Sequence, residues 1–166
     1  MRILGIDPGI AIVGFGFVDK QGSQLKPAQY GSIQTEAGLS VPLRLKQIYE
    51  AMQELLATYK PDEVSVEKLF FNKNVTTAFS VGQARGVILL AAEQAGIPTY
   101  EYTPMQVKQA VTGYGGAEKK QIQEMVRILL KLPEVPKPDD VADALGIAIT
   151  HANFRTYHQM MEGARL

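Results

Sequence analysis

Several features are missing from this 166-residue sequence, and the first of them is cysteine. The absence of cysteine excludes disulfide bonds, thiolate metal ligands and cysteine nucleophiles. No continuous apolar run approaches the roughly 18 residues of a membrane-spanning helix, and the first residues lack the pattern of a secretory signal. We therefore expect a soluble cytoplasmic protein with no membrane partner.

Net charge is also missing, because 17 basic residues balance 17 acidic ones. The charges are unevenly distributed, however, since residues 68–137 carry nine basic and five acidic side chains while the segments on either side are acidic. Such segregation is consistent with a basic surface beside an acidic site. A simple solvated face is the commoner explanation of an excess this small.

The length and the 46% hydrophobic content are typical of one globular domain. We expect a domain over residues 1–157 and a short polar tail over residues 158–166. Strand and helix patterns alternate along most of the chain, which predicts an α/β fold with a mixed five-stranded sheet flanked by helices. Predicted strands occupy residues 3–7, 11–18, 24–34, 62–67 and 97–102, the third of them at an edge, and predicted helices occupy residues 40–59, 75–95, 103–112, 118–131 and a last segment that begins at 139.

Two acidic residues stand at the ends of predicted strands. Asp7 closes the first strand before a Pro8-Gly9 turn, and Glu67 closes the fourth. Sites in open α/β sheets lie outside the carboxyl ends of the strands, so these two carboxylates are a candidate site. From its own stretch alone, Asp7 is explained equally well as a turn cap.

Two further carboxylates, Asp140 and Asp143, are spaced i, i+3 on one face of the last helix. Capping accounts for Asp139 or Asp140 but accounts poorly for Asp143, which lies in an apolar segment. If this helix crosses the strand ends, both residues converge with Asp7 and Glu67, and such a cluster is costly without cations. Oxygen ligands favour Mg²⁺ or Mn²⁺, and two ions about 4 Å apart can support phosphodiester cleavage.

The four carboxylates are interpreted as ligands of those two ions. Asp7 would bridge both ions, Glu67 and Asp143 would complete the coordination shells, and Asp140 would ligate an ion or act near the attacking water. No histidine is required, so we expect the two histidines of the sequence to be ordinary surface or cap residues.

Two adjacent aromatic residues lie between lysines in the predicted loop over residues 68–74. Phe70 and Phe71 are typical of side chains that stack on bases or wedge between them, and Lys73 would contact phosphate. Packing of both rings beneath the loop is the alternative.

Basic residues open the predicted helix 118–131. Lys119 and Lys120 oppose the helix dipole, which favours acidic residues at that end, and we interpret them as phosphate contacts. The glycines among the preceding residues 113–116 would give freedom of movement or expose backbone amides to an anion.

Small residues mark two regions of close packing. Gly14 and Gly16 interrupt the second strand and would let another molecule approach the sheet beside Asp7, unless they only accommodate twist or neighbouring bulk. Helix 75–95 is rich in Ala and Gly, which let another helix come close. Packing within the subunit explains some of these residues, and a dimer interface would explain the rest.

Six stretches, taken together and in this order, resemble the RuvC family of Holliday-junction resolvases within the ribonuclease-H-like superfamily. They are Gly5-Ile6-Asp7-Pro8-Gly9, Val66-Glu67 followed by Phe70, Val81-Gly82-Gln83-Ala84-Arg85-Gly86, Gln106-Val107-Lys108-Gln109, Ala117-Glu118-Lys119, and Ala142-Asp143-Ala144-Leu145 running on to Ala148-Ile149-Thr150-His151. The resemblance covers nearly the whole chain.

The resemblance implies a homodimer that nicks two opposed strands of a four-way DNA junction with Mg²⁺ in recombination and repair. It also implies the branch-migration proteins RuvA and RuvB as partners. Family roles fall on the four carboxylates for metal binding and catalysis, on Phe70 for stacking, and on Lys108 and Lys119 for phosphate contact. Helix 75–95 would form the dimer interface.

Three other functions fit parts of the pattern. The actin-like ATPase and sugar-kinase fold also begins with a strand, an Asp and glycines, but it needs two such domains. A protein that binds branched DNA without cutting it would require a damaged carboxylate set, whereas this set is complete. A single-domain nuclease that acts on RNA or on simple duplex DNA stays open.

Overall fold

A computed structural model describes residues 1–69 and 75–163 of the chain. Within these residues, five strands form one sheet and five helices cover it. The strands are β1 (Arg2–Asp7), β2 (Ile12–Gln21), β3 (Gln24–Gln34), β4 (Glu63–Glu67) and β5 (Thr99–Tyr102), and the helices are α1 (Val41–Tyr59), α2 (Val75–Gln94), α3 (Pro104–Thr112), α4 (Lys119–Leu129) and α5 (Asp139–Gly163).

The sheet has the strand order β3-β2-β1-β4-β5. Strands β1, β2 and β3 pair antiparallel through short turns, whereas β4 and β5 pair parallel to β1 and to each other after helical crossovers. The predicted mixed five-stranded sheet is therefore confirmed, with β3 at an edge. The parallel strands β1, β4 and β5 end at the same edge of the sheet, so the residues that close them are neighbours.

Helices cover the sheet on both faces. The core on one face includes side chains of β1, β2, β4, α1 and α2, and the core on the other lies against α3, α4 and α5. Both faces of β4 are buried, because Glu63 and Ser65 are covered as well as Val64 and Val66. α5 contacts β4 and covers the face that carries Glu63, which His151 of α5 reaches.

Capping motifs fix the starts of the two short helices near the sheet edge. Thr103 accepts a hydrogen bond from the backbone N–H of Gln106, whose side-chain Oε1 in turn accepts one from the backbone N–H of Thr103. Glu118 and Gln121 form a similar reciprocal box at the start of α4. These boxes satisfy backbone groups that the first turn leaves unpaired, and they define where each helix begins.

α5 is the longest helix and runs through Asp139–Gly163. It packs across β1 and β2 and contacts α3 and α4. The predicted boundary between a domain over residues 1–157 and a tail falls inside this helix, and the division itself stays a prediction.

α2 has the length and apolar composition of a membrane-spanning helix, because its residues from Val75 to Gln94 are mostly uncharged and hydrophobic. Length and composition alone are weak support, since core helices pass the same test. Ala84, Ile88 and Ala92 of this helix are fully buried in the domain core.

Candidate active site

The two strand-end carboxylates lie side by side. Ile6 of β1 and Val66 of β4 are parallel register partners, so the next residues, Asp7 and Glu67, leave adjacent strands at the same level. Both side chains are half-buried at this edge. The prediction that the carboxyl ends of the strands bring these two residues together is confirmed.

Glycines in the sheet let α5 reach Asp7. Gly14 is the cross-strand partner of Asp7, and a Cβ atom at Gly14 would lie 1.9 Å from the backbone oxygen of Asp140. A Cβ atom at Gly5 would lie 2.1 Å from the backbone oxygen of Ala144. Any side chain at either glycine would push α5 away from the sheet. The sequence offered two reasons for a glycine at position 14: approach of another molecule, or accommodation of twist or neighbouring bulk. The structure favours neighbouring bulk, which is helix α5 with the remaining carboxylates.

Asp7 sits at the electrostatic centre of the site. Burial raises the pKa of Asp7, the negative charges of Asp143, Glu67 and Asp140 raise it further, and the positive charge of Lys119 opposes them; the result is a pKa of about 8. A carboxyl group that resists ionisation in this way is one that nearby cations would strongly stabilise in its charged form. Asp7 thus interacts electrostatically with each of the other three predicted carboxylates.

Two other members of the cluster are perturbed in the same direction. Burial raises the pKa of Glu67, with a further contribution from Asp143, and burial raises the pKa of Asp143. The positive charge of Lys119 lowers both pKa values in part, and its ammonium lies 3.4 Å from Asp143 Oδ2. Perturbed carboxyl groups gathered in a cleft are typical of functional sites.

Lys119 also lies 3.3 Å from Asp139 Oδ2, so it joins two turns of α5 to the start of α4. Burial lowers the pKa of Lys119, but Asp143 and Asp139 outweigh it and the net shift is upward. The charge that the sequence placed against the helix dipole is therefore balanced by acidic side chains of the neighbouring helix. Its predicted contact with phosphate stays a prediction.

A cavity of about 210 Å³ opens between these groups and α3. Its lining includes the acidic residues Glu67 and Asp143 and the basic residues Lys108 and Lys119. Opposite charges therefore face the same space, as a site that binds both cations and phosphate requires. Lys120 points elsewhere, lining a separate hollow with Tyr114.

The donor set consists of carboxylate oxygens, which suits a hard divalent cation. In the described part of the chain, no three His, Cys, Asp or Glu side chains are gathered closely enough to form a closed metal site. Like charges favour separation, and Lys119 draws Asp143 toward Asp139. The carboxylate oxygens therefore suit a divalent cation chemically, although these side chains are not gathered closely enough to surround one.

Three predicted DNA contacts, Phe70, Phe71 and Lys73, lie outside the described residues. The flanking Lys68 is exposed, and its backbone N–H donates to the carbonyl of Tyr102 over 2.8 Å. The loop therefore departs from the sheet directly beside Glu67.

The expectation that both histidines are surface or cap residues was wrong for His151. Its side chain is fully buried and hydrogen-bonded to Glu63 and to Tyr102. A signal for this was present in the sequence, because residues 144–149 of α5, just before Thr150 and His151, carry no polar side chain and so indicate a buried stretch of helix. A buried imidazole then requires partners.

Comparison with known proteins agrees with this geometry. A profile of the family Crossover junction endodeoxyribonuclease RuvC matches residues 3–151. A curated protein of that name from Brevibacillus brevis is 82% identical over 165 residues, covering 99% of each chain, and another from Desulfitobacterium hafniense is 57% identical over 164 residues with the same coverage.

A solved structure, Thermus thermophilus RuvC in complex with a Holliday junction substrate, superimposes with a TM-score of 0.89 at 40% identity. The match covers 93% of this chain and 94% of that one. The fold is thus the ribonuclease-H-like fold that the sequence implied, and the chain belongs to the RuvC family of crossover junction endodeoxyribonucleases.

Proposed function

We propose that this protein is a Mg²⁺-dependent endonuclease that resolves four-way (Holliday) DNA junctions by paired symmetric nicks in homologous recombination and DNA repair. The observation that carries the proposal is the convergence of Asp7, Glu67, Asp140 and Asp143 at one edge of the sheet, in a chain of this family. The Thermus relative that binds a Holliday junction supports the substrate class.

The carboxylates would hold two Mg²⁺ ions, with Mn²⁺ as a substitute. Asp7 feels the charges of the other three acidic side chains, which supports a shared role for it, while Glu67 and Asp143 would complete the shells and Asp140 would act near the attacking water. When bound, such ions activate water and stabilise the leaving oxygen. The chain itself supplies a rigid frame, because strands β1 and β4 and the close seat of α5 on Gly14 fix the carboxylates relative to one another.

Lysines around the cavity would hold the scissile strand. Lys108 and Lys119 line the same cavity as Glu67 and Asp143, so a phosphate bound there would be within reach of both lysine ammonium groups. Phe70, Phe71, Lys73 and Lys120 are proposed as further DNA contacts on the basis of the sequence alone.

A homodimer is proposed through α2. Exposed apolar residues at helical spacing, Val75, Phe79 and Leu90, lie on one face of this helix together with Gly82 and Gly86. Glycines there leave room for a second helix to approach. A two-fold dimer would present two identical sites to the two equivalent strands of a junction, which accounts for symmetric nicks.

Family membership also supports a cytoplasmic location and cooperation with the branch-migration proteins RuvA and RuvB. It removes the two-domain nucleotide-binding alternative, because this chain aligns over nearly its full length with single-domain relatives.

The proposal is tested on a denaturing gel with a branch-migratable four-way junction, labelled on each strand in turn, in Mg²⁺. Paired nicks at symmetric positions, with a linear duplex of the same sequence left intact, are the expected result. Binding without nicks would indicate a junction-binding protein, and equal cutting of the linear duplex or of RNA would indicate a general nuclease.

A further inference from the structure

A buried chain of polar side chains crosses the core behind the carboxylate cluster. His151 of α5 is fully buried, and Glu63 of β4 and Tyr102 of β5 are nearly so. His151 Nε2 lies 2.5 Å from Glu63 Oε2, and His151 Nδ1 lies 2.7 Å from the Tyr102 hydroxyl. Arg155, one turn further along α5, donates to Glu63 Oε1 over 2.8 Å.

The hydrogen bonds of this chain are mutually consistent. Burial lowers the pKa of His151, despite the opposing effect of Glu63, so the imidazole is neutral and carries one N–H. Glu63 accepts from Arg155 and can accept that N–H at Nε2, which leaves Nδ1 as the acceptor for the Tyr102 hydroxyl. Only one assignment of donors and acceptors therefore gives every group a partner. A buried hydrogen-bond network satisfied in this way is rigid.

The network joins the elements that carry the site. Tyr102 is the register partner of Glu67, and its carbonyl accepts the backbone N–H of Lys68. Tyr102 also directly precedes Thr103, the N-cap of α3, and α3 carries Lys108. Tyr102 thus stands at the end of β5, with its backbone paired to the strand that carries Glu67, and directly before the N-cap of the helix that carries Lys108.

His151 provides the other half of the connection. It lies on the same helix as Asp143, eight residues later, which is roughly 12 Å along the axis. Through Tyr102 and Glu63, this one imidazole ties α5 to the end of β5 and to the start of β4. The ring of Tyr100 packs against it, with centroids 4.5 Å apart. Helix α5 therefore has little freedom to shift along the sheet.

We propose that the Tyr102–His151–Glu63 network positions the cleavage site, holding Asp143 on α5 in register with Glu67 on β4 and Lys108 on α3. Tyr102 and His151 are positioning residues, since neither lines the cavity that the carboxylates and lysines share. This inference rests on the proposed function, because it concerns the same reaction. Two-metal chemistry is sensitive to ligand placement at the level of about 0.5 Å, so a loosened register costs rate rather than binding.

The test uses Tyr102→Phe, which removes one hydroxyl and keeps the ring. Its matched control is Ile149→Val, which removes one methyl group from a fully buried residue of the same helix and leaves every hydrogen-bonding group of the network in place. Junction affinity without Mg²⁺, melting temperature, and the single-turnover cleavage rate at saturating enzyme are measured for both variants, at a temperature well below either Tm.

We expect both variants to lose a few degrees of Tm and to bind junction DNA like the wild type, while Tyr102→Phe alone cleaves about tenfold more slowly. Equal cleavage rates for the two variants, or weakened junction binding by Tyr102→Phe, would overturn the positioning role while leaving the nuclease proposal intact. Failure of the wild type itself to nick the junction would overturn the proposed function, and the positioning role with it.

Discussion

The ammonium of Lys119 lies 3.4 Å from the carboxylate of Asp143 and links the start of α4 to a predicted metal ligand on α5. A second contact, 3.3 Å to Asp139, gives the lysine a partner that is not among the four predicted ligands. Lys119 therefore occupies the position of a counter-ion within the acidic cluster. A divalent ion that binds Asp143 would have to displace this contact, leaving Lys119 with Asp139.

Replacing Lys119 with Met should therefore strengthen binding of Mn²⁺ in the absence of DNA. Both partners are partly exposed, so the gain is limited to about fivefold, the equivalent of the ~1 kcal/mol that an exposed ion pair contributes. Isothermal titration with Mn²⁺ measures it. Lys120→Met is the matched control, because it removes the same charge one residue along from a side chain that lines a different hollow. Equal gains in both variants would mean that only overall charge matters.

The pKa of Asp7 predicts how the stability of the metal-free protein depends on pH. The folded protein keeps this carboxyl protonated up to pH of about 8, whereas the unfolded chain ionises it near its ordinary value of 3.8. The folded state thus binds more protons between these values, so wild-type stability falls as pH rises from about 4 to 8.

Asp7→Asn removes this dependence. In EDTA its Tm should match that of the wild type near pH 4 and exceed it above pH 8 by roughly 10 °C or more, because the difference between a pKa of 3.8 and one of about 8 corresponds to ~5 kcal/mol, at about 2 to 4 °C per kcal/mol in a domain of this size. Calorimetric melts across this pH range measure the difference. Adding Mg²⁺ should then raise the Tm of the wild type more than that of the variant. A pH-independent difference, or equal Mg²⁺ shifts, would contradict the shared carboxylate site.

The proposed dimer interface can be broken without touching the site. Phe79→Glu places a charge on the exposed apolar face of α2, where the phenyl ring is 67% exposed. We expect a folded monomer by light scattering, and loss of paired nicking. Met105→Glu changes a similarly exposed apolar residue on α3 and should leave the dimer intact. A Phe79→Glu protein that stays dimeric would exclude this face of α2.

The two cavity lysines should each contribute one phosphate contact. Lys108→Ala and Lys119→Ala are expected to weaken junction binding and to reduce the slope of log Kd against log salt concentration by about 0.9. Fluorescence anisotropy at several NaCl concentrations gives the slope. An unchanged slope would indicate that the lysine neutralises only the carboxylates.

Much of this arrangement could be predicted from local patterns. Strand ends at Asp7 and Glu67, and helical spacing of Asp140 and Asp143, are short-range features, and the crossover rule then brings the strand ends to one edge. The seat of α5 on Gly14 could be predicted only as one of two alternatives, because the sequence does not say which element fills the space above a glycine.

Other parts depend on contacts between distant segments. The pairing of Lys119 with Asp139 and Asp143 follows from how α4 packs on α5, and no spacing in the sequence specifies it. Alternation along β4 places Glu63 on the face opposite Val64 and Val66, but it does not show that α5 covers that face or that His151 pairs with Glu63. When both faces of a central strand are buried, the alternation of apolar and polar residues no longer shows which element packs on each face.

The most direct test of the central claim compares junction cleavage and junction binding for the wild type and for Asn or Gln variants of the four carboxylates. We expect Asp7→Asn, Glu67→Gln, Asp140→Asn and Asp143→Asn each to lose paired nicking in Mg²⁺ by about a hundredfold or more while binding the four-way junction like the wild type. Wild-type cleavage rates in any of these folded variants would contradict a site built from all four side chains.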